Sequence, residues 1–182
     1  MKKMIMMFLM MVGVMAHASS ADYNVRDYGA KGDGKTLDHQ AINAAIDSCV
    51  AHGGGRVVVP AGTYLCGSIR MKSHVELHLS AGAKILAAPA SMKAYDEAES
   101  WEGPAYQDGG HTYFKNSLIY AIGQEHVSIT GRGMIDGQGL TKKDTEKGGV
   151  VNGGNIGTGD KAIAFKLCRN ILIRDVTIYR GG

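Results

Sequence analysis

This sequence lacks a large excess of either positive or negative charge. Its 182 residues include 20 Lys and Arg against 17 Asp and Glu, a formal net charge of +3 at pH 7. Nucleic-acid-binding domains usually carry a clear basic excess, so the balance argues against a nucleic-acid partner. A hydrophobic share of 45% is also too high for a disordered chain.

Proline and cysteine are scarce, whereas glycine is abundant. The chain holds 3 prolines and 3 cysteines but 26 glycines, and these glycines follow no collagen-like period. Cys49, Cys66 and Cys168 are odd in number and form no C-x-x-C pair, which argues against a zinc or redox site. Each has apolar neighbours, so we expect buried thiols, and one disulfide of unassigned pairing stays open. We predict a turn-rich, β-dominated globular chain without a metal or cofactor.

No apolar run is long enough to cross a bilayer. The longest, Ile5–Met15, has eleven residues, whereas a spanning helix needs about 20. It follows Lys2 and Lys3 and precedes the small-residue sequence Ala16-His17-Ala18, a pattern typical of a secretory signal peptide. We predict a signal peptide at about residues 1–18, cleavage after the last of them, and an exported protein, periplasmic or secreted.

One segment, residues 38–51, has the period of an amphipathic helix. Thr36 is its expected N-cap, Asp38 suits its positive first turn, and Gly53-Gly54-Gly55 should end it. Its apolar residues recur at steps of three and four: Ala41, Ile42, Ala45, Ile46, Cys49 and Val50.

The rest of the chain is predicted to form short strands, because β-branched and aliphatic residues alternate between glycine or polar turns. The predicted strands are Arg56–Pro60, Val75–Leu79, Lys84–Ala87, Leu118–Ile122, Val127–Thr130, Ala162–Leu167 and Ile171–Tyr179, the last bent near Asp175.

Three of these segments repeat. Ser73–Leu77, Glu125–Ile129 and Arg169–Ile173 share a polar pair followed by an apolar run, with starts 52 and 44 residues apart. Two coils of about 22 residues would fit the second offset, within the range of solenoid repeats. Hairpin turns are scarce, so an antiparallel sandwich is the weaker alternative.

The predicted fold is therefore all-β, a right-handed parallel β-helix whose open first coil is covered by the helix at 38–51. The last rung, Ile171–Gly182, has no cap after it. A solenoid that stops there exposes unpaired strand edges. We therefore expect residues 19–182 to be the N-terminal part of a longer β-helix domain, truncated at its C-terminus. No prediction of oligomeric state follows.

Two motifs have an alternative chemical interpretation. Residues 29–36 match the P-loop pattern G-x-x-x-x-G-K-T, but no buried strand precedes them, and Asp33 would repel phosphate. A glycine-rich turn into a helix is the favoured interpretation. His74, Glu76 and His78 share one strand face and could offer three metal ligands, but a solvated outer face is favoured.

Two irregular segments interrupt the strands. The longer, at about 89–116, holds five aromatic residues, and loops of this length are usually functional. Aromatic rings suit sugar binding, so Trp101 and Tyr106 are the candidate substrate-binding residues; the alternative is that the rings pack this loop against the solenoid. The second, at about 140–160, is rich in glycine.

The ordered set of motifs resembles the pectin-lyase-like β-helix proteins. Its first half runs from Tyr23–Gly34 through Gly53-Gly54-Gly55 to Val59–Tyr64. The second half, with Ser117–Ala121, His126–Gly131, Met134–Gly139 and Cys168–Ile173, looks like glycoside hydrolase family 28, the polygalacturonase family. The loop sequence Trp101-Glu102-Gly103-Pro104 is similar to that of bacterial, Bacteroides-type members.

This resemblance implies inverting hydrolysis of α-linked galacturonate, with a pectic polysaccharide as the partner. The family's N-x-D, D-D and G-H-G motifs are missing here, and the single R-x-K, Arg70-Met71-Lys72, stands without them. No catalytic residue can be assigned in this chain, and it is expected to be inactive alone. Asp136 is the nearest candidate, but its sequence Asp136-Gly137-Gln138-Gly139 favours a turn. A β-helix polysaccharide lyase and a non-catalytic carbohydrate-binding or tailspike-like solenoid stay open as alternatives.

Overall fold

The computed structural model describes residues 22–100, 113–138 and 161–181. Within these ranges the chain forms one α-helix, α1 (His39–Ala51), two single turns of 3-10 helix at Val25–Tyr28 and Ala90–Met92, and thirteen strands. The predicted signal peptide at about residues 1–18 and the glycine-rich segment at about 140–160 lie outside the described residues.

The strands form three sheets in which every pair is parallel. Sheet A contains, in spatial order, β1 (Asp22–Asn24), β3 (Gly55–Val59), β6 (Val75–Leu79), β9 (Glu125–Gly131) and β12 (Arg169–Ile173). Sheet B contains β13 (Thr177–Tyr179), β10 (Met134–Asp136), β7 (Ala83–Ala87), β4 (Gly62–Cys66) and β2 (Asp33–Leu37). Sheet C contains β11 (Ile163–Lys166), β8 (Ile119–Ile122) and β5 (Ile69–Arg70).

The chain visits sheets A, B and C in turn and then returns to sheet A one position further along. This path is a β-helix, and the predicted all-β, right-handed parallel solenoid with one helix is confirmed. The predicted strand bent near Asp175 is two strands, because β12 belongs to sheet A and β13 to sheet B.

The three repeats found in the sequence are β6, β9 and β12, which are neighbours in sheet A. Glu76 pairs with Ser128 and Val127 pairs with Ile171, at the predicted offsets of 52 and 44 residues. The division of the 44-residue offset into two coils is wrong. Each offset is one coil, because β6, β9 and β12 pair directly, and a coil without insertions takes 20 residues, as the pairing of Arg56 with Glu76 shows.

Helix α1 covers the open end of the first coil and takes the place of a strand beside β5. Its buried Asn43 donates from Nδ2 to the carbonyl of Ser68 at 2.9 Å and accepts the amide of Arg70 at 2.8 Å. A side-chain amide thus satisfies the backbone groups that another strand would pair. This arrangement supplies the cap that the solenoid needs.

The predicted N-cap of the helix is wrong, and one residue of its predicted apolar stripe is exposed. The N-cap is Asp38 rather than Thr36, which belongs to β2 and bonds Asp33 instead. Asp38 makes no side-chain bond to the helix, since its carboxylate accepts amides from the preceding loop. Val50 is 37% exposed because it lies at the rim of the apolar stripe, whereas Ile42 and Ile46 are fully buried.

Side chains that alternate inward stack in columns from coil to coil. In sheet B, Tyr64 lies beside Ile85 and Ile85 beside Ile135, and all three are fully buried. In sheet A the same holds for Val57 and Leu77. Burying a side chain of this size contributes about 1.5–3 kcal/mol, so these columns are the main source of stability.

The opposite end of the described solenoid is apolar and exposed. Strands β11, β12 and β13 pair on one side only within the described residues. The large hydrophobic residues exposed on this last turn are Leu167, Leu172, Ile173, Ile178 and Tyr179.

Among the described residues, no helix is long and apolar enough to cross a membrane. All three cysteines are free thiols: Cys49 and Cys66 are buried, as expected, and Cys168 is partly buried. Burial raises the pKa of the Cys49 and Cys66 thiols, which keeps them neutral.

Candidate functional site

The two long segments that connect sheet B to sheet C begin at the same corner of the described solenoid. The first begins after β7 and the second after β10, the next strand of sheet B. Gln138 donates from Nε2 to the carbonyl of Ala87 at 2.6 Å, which joins the two departure points. The candidate substrate-binding residues Trp101 and Tyr106 belong to the first loop but lie outside the described residues, so their role stays a prediction.

A partly exposed charge cluster fastens the first loop to sheet C. Arg70 donates to both carboxylate oxygens of Asp96, at 2.7 and 2.6 Å, and the Tyr120 hydroxyl donates to the same carboxylate at 2.7 Å. Burial opposes the ionisation of Asp96, but these hydrogen bonds outweigh it and lower its pKa. Burial and the bond to Asp96 raise the pKa of Tyr120 to about 12. The cluster is a structural anchor of fixed charge.

A second anchor holds the returning end of this loop. Glu99 accepts the amides of Phe114 and Lys115 at 3.0–3.1 Å. The ammonium groups of Lys161 and Lys166 lie 5.1 and 5.3 Å from the centre of the Phe114 ring. This ring is therefore engaged by cations of the protein itself.

Tyr95 bears on the choice between sugar binding and packing for the loop aromatics. Its hydroxyl donates to the carbonyl of Ala88 at 2.8 Å, and its ring packs against the hydrophobic core. For this residue the packing interpretation is correct.

In the glycine-rich turn that matched a P-loop pattern, four backbone amides are bonded to carboxylates of the protein itself. Lys31 and Gly32 donate theirs to Asp38, at 2.6 and 2.9 Å. Those of Lys35 and Thr36 bond Asp33, and these bonds hold the pKa of Asp33 at about 2. The side-chain carboxyl groups of Asp33 and Asp38 occupy the place that a phosphate would take, which argues against the nucleotide interpretation.

One edge of sheet A carries a column of residues with left-handed backbone. One residue at the start of each strand has positive φ: 99° at Gly54 and 63° at His74, which precede β3 and β6, and 53° at His126 and 56° at Asn170, the second residues of β9 and β12. The imidazoles of His74 and His126 stack with centres 5.2 Å apart, close to the spacing of parallel strands. Nδ2 of Asn170 lies 3.3 Å from Nε2 of His126. We call these four residues the edge column.

A groove of about 400 Å³ runs beside the edge column on the outer face of sheet A. We call it the sheet A groove; its lining is polar apart from one valine. The lining residues are Gly55, Arg56, His74, Val75, Glu76, His126 and Ser128. The volume lies within the range of small-ligand sites, which makes this groove the candidate binding site of the described residues.

Glu76 is held ionised on the floor of the groove. It accepts Nε of Arg56 at 3.2 Å and the hydroxyl of Thr130 at 2.6 Å, and Nδ1 of His78 lies 2.9 Å from that hydroxyl. Burial opposes the ionisation of Glu76, but the bonds from Thr130 and Arg56 outweigh it, and its pKa is lowered. The predicted strand-face set of His74, Glu76 and His78 is thus divided between two networks.

A general acid that acts at neutral pH needs a carboxyl group of raised pKa. In the described ranges, each carboxyl group with a resolved shift has a lowered pKa: Asp33, Glu76, Asp96, Glu99, Glu125 and Asp136. These ranges also contain no group of three or more His, Cys, Asp or Glu residues placed to hold a metal ion.

Asp136 forms the turn expected of it. Its carboxylate accepts the amide of Gln138 at 3.0 Å and is bound by Arg180 through two contacts of 3.0 and 2.6 Å. Only 4% of its side chain is exposed. Asp136 therefore links β10 to the turn after β13 and does not face the sheet A groove.

His126 is the site residue that sequence reasoning missed. Its partners His74 and Asn170 lie 52 and 44 residues away and meet only when the coils stack. The signal was present, because the three residues hold the same position in the predicted repeat. The backbone gives the reason for that position, since left-handed φ favours glycine, asparagine and histidine.

The three stacked parallel sheets, their buried columns and the polar outer groove place the chain among the parallel β-helix proteins. The family model described as rhamnogalacturonase A/epimerase, pectate lyase-like, matches residues 23–151. The chain belongs to this family.

Its relatives are polysaccharide-acting proteins. An exo-poly-α-D-galacturonosidase of Dickeya chrysanthemi is 35% identical over 137 residues, 71% of this chain and 21% of that protein. A family 28 exopolygalacturonase of Yersinia enterocolitica superposes with a TM-score of 0.68 at 26% identity, over 88% of this chain and 35% of that one. An alginate lyase of Azotobacter vinelandii is 60% identical over 43 residues, 24% of this chain and 5% of that protein.

The chain is thus polygalacturonase-like and of the family 28 type. It spans about a fifth of the Dickeya protein and about a third of the Yersinia protein.

Proposed function

We propose that the protein to which these residues belong hydrolyses a galacturonate-containing polysaccharide of pectin with inversion at the anomeric carbon. The observation that carries the proposal is the 35% identity to an exo-poly-α-D-galacturonosidase across 71% of the chain. The structural likeness to a family 28 exopolygalacturonase supports it.

The catalytic carboxyl groups are proposed to lie beyond the coils described here. Inverting glycosidases need two carboxyl groups about 6.5–9.5 Å apart, one of them with a raised pKa. On sheet A, Glu76 and Glu125 are each paired with an arginine that helps to lower the pKa of the carboxyl group. The described coils would then support binding of the polymer, and residues 1–182 alone would be inactive.

Export is part of the proposal, because pectin is met outside the cell. The positive, apolar and small-residue order of residues 1–18 supports it. The intact mass of the protein recovered outside the cytoplasm tests it. A mass that still includes those residues would contradict cleavage after Ala18.

A second candidate is elimination or epimerisation of a uronate polymer. The 60% identity to an alginate lyase favours it, but that match covers 24% of the chain. A lyase leaves unsaturated uronate ends that absorb ultraviolet light, whereas a hydrolase leaves saturated reducing ends.

Reducing-end release from polygalacturonate and rhamnogalacturonan tests the proposal, with the complete gene product and residues 1–182 assayed side by side. We expect saturated products from the complete protein and none from the shorter chain. Activity of residues 1–182 would mean that the acids are within this chain. Unsaturated products would move the protein to the lyases.

A further inference from the structure

We propose that the sheet A groove is a binding subsite for a carboxylated sugar, with the imidazoles of His74 and His126 and the guanidinium of Arg56 around the sugar carboxylate. This inference rests on the proposed function, because it names the part of these coils that holds the polymer. The groove is open to solvent along its length, which suits one unit of a chain better than an enclosed small molecule.

The groove offers unused hydrogen-bond donors. Arg56 spends only Nε on Glu76, so its two terminal nitrogens have no protein partner among the described residues. The ring nitrogens of His74 also make no hydrogen bond within those ranges, and the ring is exposed. A planar guanidinium with free terminal nitrogens and a neighbouring imidazole match the two oxygens of a carboxylate.

The net charge of the groove depends on the two histidines. The surrounding charges are the carboxylate of Asp22, which neighbours Arg56 in the sheet register, and two ion pairs, Arg56 with Glu76 at 3.2 Å and Arg169 with Glu125 at 2.7 Å. His78 lies beyond Glu76 and contacts Thr130, and the amide of Asn170 faces His126. Because the pairs cancel and Asp22 adds one negative charge, the groove becomes positive only when both imidazoles are protonated.

Acid conditions therefore favour occupation by an anion. Histidine gains its proton between about pH 8 and pH 5. Two protonated rings stacked 5.2 Å apart repel one another, and a bound carboxylate relieves that repulsion. Binding of the anion and uptake of protons are then linked, so affinity should rise as the pH falls.

The backbone does not require histidine in the edge column. Gly54 and Asn170 hold the same left-handed position in the neighbouring coils, and both residue types adopt it readily. Two exposed imidazoles that border a groove thus supply a chemistry that the turn itself does not need.

The test is a titration of the protein with trigalacturonate at pH 5 and at pH 8, monitored by NMR signals of the imidazole C–H groups. We expect the His74 and His126 signals to shift, and binding at pH 5 to be at least tenfold tighter than at pH 8. The double variant His74→Gln/His126→Gln should lose at least tenfold in affinity at pH 5. His52→Gln is the matched control, because this ring bonds the carbonyl of Ser48 and does not line the groove.

Neutral galactotriose and inorganic phosphate separate the sources of affinity. Equal binding of the neutral trisaccharide, or equal affinity at both pH values, would overturn the role of the imidazoles. Phosphate binding as tight as trigalacturonate binding would overturn the sugar subsite and leave a general anion site. Circular dichroism tests whether the double variant is folded. If it is not, the single variant Arg56→Gln takes its place, and the same loss of affinity is expected of it.

The outcome is independent of the hydrolysis assay. Hydrolysis by the complete protein with unchanged affinity in the double variant would overturn the subsite alone. Trigalacturonate binding that follows the predicted pH dependence, without hydrolysis by the complete protein, would overturn the proposed function alone.

Discussion

The interior columns and the edge column repeat with the same coil spacing but serve different ends. Inside, Tyr64, Ile85 and Ile135 stack with no exposed surface, and their order follows from alternation along each strand. Outside, His74 and His126 stack in the open, on backbone of positive φ that costs free energy. The inner columns therefore hold the coils together, whereas the outer one presents polar groups at a groove.

The largest effect is expected inside. Ile85→Ala should lower the free energy of unfolding by about 3–4 kcal/mol, because it removes a buried side chain between two others and leaves a cavity. Urea denaturation measures this. Lys84→Ala, on the same strand but partly exposed, is the control and should change stability by about 0.5 kcal/mol or less. Equal losses from both variants would contradict the division between inner and outer faces.

The next effect is expected at the cap. Asn43→Leu leaves the carbonyl of Ser68 and the amide of Arg70 without partners, and each buried unpaired group costs about 1–3 kcal/mol. We expect a loss of about 2–3 kcal/mol in urea denaturation. The matched control is Gln40→Leu, an exposed residue of the same helix. A neutral result for Asn43→Leu would mean that water or backbone movement satisfies the strand edge.

These two sites show what the sequence could predict and what it could not. The inner columns follow from period-two alternation, so β6 was predicted with its observed bounds. Strand β4 was missed because Tyr64, Leu65 and Cys66 are all buried in succession, which breaks that alternation. Asn43 was missed because its partner is a strand edge 25 residues away, known only once the coil is closed.

The site was less predictable than the fold. The aromatic residues chosen from composition, Trp101 and Tyr106, lie outside the described residues. The groove instead joins side chains from β3, β6 and β9 and the turns before them. Its residues are separated by whole coils with loops of unequal length, so local patterns did not bring them together.

A smaller, pH-dependent effect is expected at the loop anchor. The pKa of Asp96 is lower in the folded state, so its contribution is present above the unfolded value of about 4 and is lost as the pH falls through the folded value. Asp96→Asn should cost about 1–2 kcal/mol at pH 7 and progressively less below about pH 4. Urea denaturation of both proteins across this range measures it. A constant difference would mean that the charge of Asp96 does not matter.

The smallest effect on stability is expected in the edge column. His74→Gln/His126→Gln should change the free energy of unfolding by about 0.5 kcal/mol or less, because both rings are exposed. Its effect on trigalacturonate binding should be at least tenfold. A loss of stability comparable to that of Ile85→Ala would show that the stacked rings are structural, and the contrast between the two columns would fail.

The configuration of the first product tests the central claim most directly. The complete protein would be mixed with an α-linked galacturonate oligomer, and the anomeric proton of the new reducing end followed by NMR before mutarotation. An inverting hydrolase predicts that the β-anomer forms first. An α-anomer or an unsaturated uronate end would contradict the assignment to inverting pectin hydrolysis.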